Sequence, residues 1–335
     1  MRNVGVREIS RQTGFSPATV SNALNHKRGV NAATAATIFR TARELGLGRH
    51  DHISSINFVM ARKTGDVLDE GTFHTGVING IAAKAQAECL QASITTLELS
   101  DRVAAAAQVA DIIGDITTGV ILLGTEMREE DYDLFKNPTS PLVVVDGTSD
   151  RIPFDSIVMS NETSSYRAIR HLIDNGHREI GYIAGSYRIR NFPLRERGWR
   201  RAMREAGLPI RPEFRVEVGT KVSTSYEGMR AWLRTNPKLP TAFFAENDIM
   251  AFGCMRAFAE HGIAIPDDVS LVGFDDLSFA TTAIPPLTTM HVPNQEMGAM
   301  AVQRLLDAAS KPSAYSHVLH IGTTLIERQS VKRLG

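Results

Sequence analysis

From Ser55 to Asp275 the sequence repeats one alternation: a short apolar run, a turn, then a stretch with a helical apolar face. Strands separated by helices pair in parallel, so this pattern demands parallel sheets covered by helices. The first set of runs is INFVMA (56–61), SITTLEL (93–99), GVILLG (119–124) and PLVVVD (141–146), with helices expected over about 73–92 and 103–113. The last two runs are apolar throughout, as strands buried on both faces are. A second set follows: IGYIAG (180–185), 214–218, TAFFAE (241–246) and VSLVGFD (269–275), with helices over about 162–175, 195–207, 225–234 and 249–261. Two successive sets of similar length predict two similar doubly wound lobes, the chain crossing between them near Ile157. Such lobes hold a ligand in the crevice beyond the C-terminal ends of their strands.

The first fifty residues have a different grammar. In TGFSPATVSNALN (13–25), Gly14, Phe15 and Ser16 make a tight turn between two short helical patterns. Ser16 is placed to cap the second helix, and Pro17 suits its first position, where no backbone N–H is needed. Val6, Ile9, Val20 and Leu24 bury one face, which leaves Pro17, Ala18, Ser21, Asn22 and Asn25 outward. A helix with a small polar outer face can enter the major groove and reach base edges. A third helix is expected from about Ala32 to Leu45, capped by Asn31, with Ile38, Phe39, Ala42 and Leu45 on one face. Residues 1–50 carry eight arginines and lysines against two glutamates, a formal +6; the whole chain sums to zero, so residues 51–335 carry −6. A basic head on an acidic body predicts a polyanion-binding module.

Composition excludes other classes. The chain is 43% hydrophobic and 22% charged, as ordinary globular proteins are. No apolar run approaches the ~20 residues that span a bilayer, and the N-terminus lacks a signal-peptide core, so no membrane partner and a cytoplasmic location are expected. Cys89 and Cys254 both fall in partly apolar helical patterns and are expected to be buried reduced thiols. No G-x-S-x-G, P-loop or H-E-x-x-H occurs, and no G-x-G-x-x-G follows a strand, so no catalytic residues and no cofactor are expected. His50 and His52 flank Asp51 without further spaced ligands, a weak basis for a metal.

The strand-end rule selects candidate pocket residues. The first strand leads to Phe73 and His74 at a helix start; IGYIAG leads into the segment holding Arg190 and Arg195; TAFFAE leads to Asn247; VSLVGFD ends in Asp275. An aromatic face, a guanidinium, an amide and a carboxylate together match a sugar, with its vicinal hydroxyls and C–H faces. Taken singly, Asn247 could be a turn residue, Arg195 a surface charge and Asp275 a helix cap.

These residues, in this order, resemble the lactose-repressor (LacI/GalR) family of bacterial transcription regulators. VREISRQTGFSPATVSNALN (6–25) resembles its helix-turn-helix signature. NGHREIGYIAG (175–185), FFAENDIMAFGCMRAF (243–258), VSLVGFDD (269–276) and IPPLTTMHVPNQEMGAMAVQRLL (284–306) are similar to segments of its body. The resemblance implies an N-terminal all-α helix-turn-helix domain (1–48), a linker (49–54) and an α/β periplasmic-binding-protein-like body (55–335). Within the body, lobe 1 covers about 55–157 and 293–320, and lobe 2 about 158–290 and 321–335. It implies a homodimer on operator DNA and a small-molecule effector, a carbohydrate by the pocket's chemistry. Pro17, Ala18 and Asn22 match base-reading positions, and Thr19, Ser21 and Asn25 phosphate-touching ones; Val6, Ser16 and His26 complete the DNA-binding set. Phe73, Arg195, Asn247 and Asp275 match effector-contacting positions, joined by His74 and Arg190.

Three departures stand out. Where the family most often has arginine, which favours guanine, this chain has Asn22, which favours adenine. Ser160-Asn161 replaces an aspartate-asparagine pair. The linker is too short for the family's hinge helix, since two turns alone need about seven residues, and no leucine lies between Leu47 and Val59. The expected activity is repression controlled by the effector. The alternatives are a solute-binding protein, a sugar-acting enzyme, or a regulator using a non-sugar co-repressor.

Overall fold

The structure, a computed structural model, describes residues 6–24, 30–45, 53–68, 73–311 and 313–334. The head consists of α1 (Val6–Thr13), α2 (Pro17–Leu24) and α3 (Ala32–Glu44) around Ile9, Val20, Ala23, Ile38 and Ala42. Gly14 takes φ +74°, which turns the chain between α1 and α2 without a Cβ clash. Asn31 caps α3 by accepting from the Thr34 N–H at 2.8 Å. The side chain of Phe39 lies outside the described set.

The body has two six-stranded sheets among the described residues. The first contains β1 (Ser55–Arg62), β2 (Gln91–Glu98), β3 (Thr118–Leu123), β4 (Leu142–Val145), β5 (Asp155–Met159) and β11 (Val318–Ile321), in spatial order β11-β5-β4-β3-β1-β2. The second contains β6 (Ile180–Gly185), β7 (Arg215–Val218), β8 (Ala242–Ala245), β9 (Ser270–Asp275), β10 (Thr288–His291) and β12 (Thr324–Ile326), in order β12-β10-β9-β8-β6-β7. Pairing is parallel throughout except between β10 and β12. β3 and β4 are buried almost from end to end, as their unbroken apolar runs require.

Helices α4 (Phe73–Ala87), α5 (Arg102–Gly114), α6 (Asn161–Asp174), α7 (Asn191–Glu205), α8 (Val222–Leu233), α9 (Asp248–Glu260) and α10 (Asn294–Ser310) cover the sheets. Three helix pairs approach closely through glycine. A Cβ on Gly80 would meet the Gln295 carbonyl and one on Gly298 the Val77 carbonyl, which locks α4 to α10. Gly198 sits against Glu162 and Ser165 of α6, and Gly253 of α9 against Val222 and Ser225 of α8.

The chain passes between the sheets three times: after Met159, after His291 and between Ile321 and Thr324. The first passage lies two residues beyond the expected Ile157. That residue lies inside β5, paired with Leu319 and Val145, and keeps the strand in the first sheet until Met159. Other expected boundaries shift too. The helix expected to reach residue 92 stops at Ala87, because Cys89 adopts φ +58° while its N–H bonds Gln86 O and the Leu90 N–H bonds Ala85 O, a Schellman stop. Cys89 is therefore exposed rather than buried; Cys254 is buried as expected. The helix expected from 195 starts four residues earlier, at Asn191, where Arg190 already has helical backbone angles and no side chain caps the end.

Candidate functional site

At the head, Ser16 performs the expected cap: its hydroxyl accepts the Thr19 N–H at 3.0 Å and shares a hydrogen bond with the Thr19 hydroxyl. Pro17 opens α2, and Ser16, Pro17 and Ala18 are exposed together, with Thr19, Ser21 and Asn22 half-buried beside them. Val6 is half-buried and packs on the head's core. Asn25 and His26 lie outside the described residues, as do residues 46–52, which hold most of the linker and the His50-Asp51-His52 cluster. The chain is anchored to the body from Ile53, which is buried, and Ser54, whose N–H bonds Thr117 O.

In the body, the strand ends converge on a chain of buried polar groups that crosses between the two sheets. Asp146, just past β4, is its foothold in the first lobe. Its carboxylate accepts from the Thr125 hydroxyl at 2.6 Å and from Asn191 Nδ2 at 2.8 Å. Asn191 opens α7 in the second lobe, and its Oδ1 accepts from Asn161 Nδ2 at 3.1 Å. Asn161 Oδ1 in turn accepts from Arg195 Nε at 2.9 Å. Arg195, one turn after Asn191 on α7, is 3% exposed and reaches Asp275 at the end of β9 with Nη2–Oδ1 at 3.4 Å. Its Nη1 donates to the Glu246 carbonyl, Nη2 lies 3.3 Å from Met159 Sδ, and the guanidinium stacks 3.7 Å over the Phe274 ring centroid. Asp146 and Asp275 both have left-handed backbone, at φ +58° and +110°. Strained backbone of this kind gathers at ligand sites.

The electrostatics follow from burial. Desolvation pushes the Asp275 carboxyl up to about 7, against the pull of Arg195 and with help from the nearby Asp146. Asp146 is raised by desolvation, partly offset by its bonds to Thr125 and Asn191. Asp248, whose carboxyl accepts from Thr289 and the Leu277 N–H, is raised to about 8 by burial and by Asp275. Glu246 is also raised, burial outweighing Arg188, the Gly185 N–H and Tyr182. A carboxyl raised to about 7, as that of Asp275 is, can accept a hydrogen bond from a ligand hydroxyl when ionised or donate one to it when protonated, and a hydroxyl can play both parts.

Two further bridges join the lobes. Arg190 pairs with Asp150 at 2.7 Å and lies 3.9 Å from Glu129. On the other flank, the loop after β1 reaches the second lobe, where Thr220 Oγ1 donates to Asp66 O at 2.8 Å and Lys221 Nζ lies 3.6 Å from Asp66 Oδ1. Glu126 shapes that loop: its two oxygens accept the N–H groups of Lys63, Thr64, Gly65, Val67 and Leu68.

The structure thus brings Arg195 and Asp275 together and places Arg190 at the rim. Asn247 lies beside them in sequence terms, after the Glu246 carbonyl that Arg195 holds, but its Oδ1 is committed to capping α9 through the Met250 N–H at 2.9 Å. Phe73 and His74 open α4, both half-buried, Phe73 against the core cluster that includes Phe274. Sequence reasoning missed Asp146, Asn191 and Thr125. The signal for Asp146 was present: PLVVVD ends in an aspartate as VSLVGFD does. Asn191 had no signal, because the start of α7 was misplaced beyond it.

The periplasmic binding protein-like domain family matches residues 169–331. Over 333 residues the chain is 29% identical to the HTH-type transcriptional repressor PurR of Pasteurella multocida (strain Pm70), covering 98% of each. In fold it is similar to the transcriptional regulator CelR in complex with cellobiose (TM-score 0.72, 23% identity, 98% of this chain and 100% of that one). It is also similar to the lac repressor dimer bound to operator and the anti-inducer ONPF (TM-score 0.71, 23% identity, 99% of this chain and 100% of that one). Head signature, two-sheet body and near full-length likeness to repressors agree in supporting membership of the lactose-repressor (LacI/GalR) family of bacterial transcriptional repressors, with a ligand-binding effector body.

Proposed function

We propose that this repressor acts as a homodimer, reads operator half-sites with α2, and answers to a neutral polyhydroxylated effector, a sugar, held in the cleft around Arg195 and Asp275. The observation that carries the reading is the buried hydrogen-bond chain from Thr125 to Asp275. It sets alternating donors and acceptors along the cleft and balances one guanidinium against two carboxyls, an environment suited to hydroxyls and hostile to a phosphate dianion. CelR, of the same fold, is solved with cellobiose. Pro17, Ala18 and Asn22 are assigned to base edges and Ser16, Thr19, Ser21, Asn25 and His26 to phosphates and positioning; Phe73, His74, Arg190 and Asn247 complete the effector cleft. A second copy would cover apolar side chains that are exposed in the single chain: Ile94 and Val103 on the first lobe, Phe252 and Ile284 on the second. The protein works by binding, with no cofactor, where the chromosome is, in the cytoplasm. Among the described residues no helix is long and apolar enough to cross a membrane.

Thermal-shift screening against sugars, with nucleobases as comparators, tests this. A ligand at a hundred times its Kd adds about 2.7 kcal/mol of stability. Asp275→Ala should abolish the shift and leave operator affinity intact; Asn22→Arg should move operator preference from adenine to guanine and leave the shift intact. A full sugar shift in Asp275→Ala, or a response to nucleobases alone, would overturn the cleft assignment.

A further inference from the structure

The second aspartate of VSLVGFDD (269–276) has no part in the cleft described above. β9 ends at Asp275, and Asp275 and Asp276 both take left-handed backbone, at φ +110° and +55°. Aspartate tolerates the ordinary left-handed region, where Asp276 sits. Asp275 lies beyond it, in backbone that persists only where the surroundings impose it. Neither of Asp275's own bonds is tight enough to do so. Its Oδ1 is 3.4 Å from Arg195 Nη2, and its carbonyl accepts from the Val292 N–H at 3.5 Å, both long for a hydrogen bond.

Asp276 is held far more firmly. Arg328 Nη2 donates to its Oδ1 at 2.6 Å, and His291 Nδ1 lies 3.0 Å from its Oδ2, so both carboxylate oxygens are engaged. The Arg328 and Asp276 side chains are each 15% exposed, which leaves the pair little screened by solvent. Arg328 is itself fixed: its Nη1 donates to the Leu287 carbonyl at 2.8 Å and its backbone N–H to the Thr288 hydroxyl at 2.9 Å. The following residue is pinned as well, the Leu277 N–H donating to the buried Asp248 carboxyl at 2.9 Å. Both side chains that grip Asp276 come from the crossings between the lobes. His291 closes β10, pairs in register with Asp275 and is the last residue before the second crossing. Arg328 follows β12, the strand reached by the third.

We propose that Asp276 is a positioning residue of the effector cleft: clamped by Arg328 and His291, it fixes the turn at the end of β9 so that the Asp275 side chain faces Arg195, and it ties that placement to the crossings that join the lobes. The proposal rests on the assignment of Asp275 to the cleft. Asp276 acts through the backbone of its neighbour and not by contact with a ligand. Asparagine could serve in its place. Its amide oxygen accepts from Arg328, its Nδ2 donates to His291 Nδ1 once that ring takes its other tautomer, and it tolerates left-handed backbone. Alanine can do none of these.

The test needs no effector. A carboxyl that burial raises to about 7 destabilises the folded chain once it ionises, so Asp275→Asn should raise the Tm of the full chain more at pH 8 than at pH 4. That increment reports the Asp275 carboxyl held in its buried place. It is then measured again in three further backgrounds. In Asp276→Ala and in Arg328→Gln the turn is released, Asp275 can swing to water, and the increment should be lost. In Asp276→Asn it should persist. Independent sites add, so an increment kept in full in either Asp276→Ala or Arg328→Gln overturns the proposal; should the first give no cooperative melt, the second decides. An increment lost equally in Asp276→Asn also overturns it, because the charge and not the clamp would then be responsible. No increment in the parent overturns the buried placement on which the clamp acts. The sugar screen reads the cleft assignment separately, and that assignment stands if only the clamp fails.

Discussion

Asp275 stands where ionisation is costly. Its folded pKa is raised from 3.8 to about 7, burial outweighing Arg195. A carboxyl raised on folding keeps its proton longer in the folded chain than in the unfolded one. Stability is therefore lost as pH climbs from about 4 towards 7 and stays lost above it. Asp248, raised to about 8, extends the loss upward. Asp275→Asn cannot ionise, so thermal melts at pH 8 should place it a few degrees above the parent, while at pH 4 the two should nearly coincide. A parent more stable than the variant at pH 8 would contradict the assignment. Glu126 has the opposite sign. Burial raises its pKa, but the backbone N–H groups of Val67, Gly65, Lys63 and Thr64 bring it below 4.5, so its stabilisation is present above the unfolded value and fades as pH falls through it. Glu126→Gln turns an NH₂ towards N–H donors and should cost about 1–3 kcal/mol. Hydrogen exchange of residues 63–68 should accelerate well beyond that of the sheets; unchanged protection would show that the loop holds without the carboxylate.

Among the elements, what the sequence made legible was period, and what it hid was approach. The apolar runs of β3, β4 and β6 and the turn at Gly14-Phe15-Ser16 could be read because each depends on side chains within a few residues. Strands β5, β10, β11 and β12 were not recognised, being three to five residues long and placed by partners distant in sequence, such as β11 against β5. The same contrast holds for the site: Arg195 and Asp275 follow from strand ends, whereas the Asn191–Asp146 bond between lobes depends on how two separate sheets face each other. Helical glycines show it most sharply, since Gly298 and Gly114 look alike in sequence. A Cβ on Gly298 would meet the Val77 carbonyl in the seam between α4 and α10, whereas one on Gly114 meets nothing within 4 Å. Gly298→Ala should therefore destabilise by about 1–3 kcal/mol, because backbone cannot step aside. Gly114→Ala should be neutral or stabilising by up to about 1 kcal/mol through reduced unfolded-state freedom. Denaturant midpoints that fail to separate the two would refute the close packing.

The whole molecule divides its labour by charge and by hinge: a basic head on an acidic body whose lobes are tied by three kinds of bridge. The Arg190–Asp150 pair is exposed and worth about 0–1 kcal/mol. The Asp66 contacts rest on a loop at the lobe margin. The Asn191–Asp146 bond is different, because both groups are buried and Asn191 also holds Asn161, which holds Arg195. A change in the lobe angle must lengthen this bond, and an effector touching Arg195 is connected to it through two hydrogen bonds, one touching Asp275 through three. If closure transmits the effector's presence to the heads, the coupling free energy passes through this link. Asn191→Ala should leave operator affinity without effector close to that of the parent and retain effector binding. The factor by which effector changes operator affinity, commonly about 5–150-fold in such systems, should shrink towards one. Linkage requires operator DNA to change effector affinity by the same reduced factor, so titrations in both directions at one salt concentration give a consistency check. Full coupling in the Asn191→Ala protein would mean that the lobes communicate along the Asp66 flank, and Thr220→Val would then be the variant that silences it.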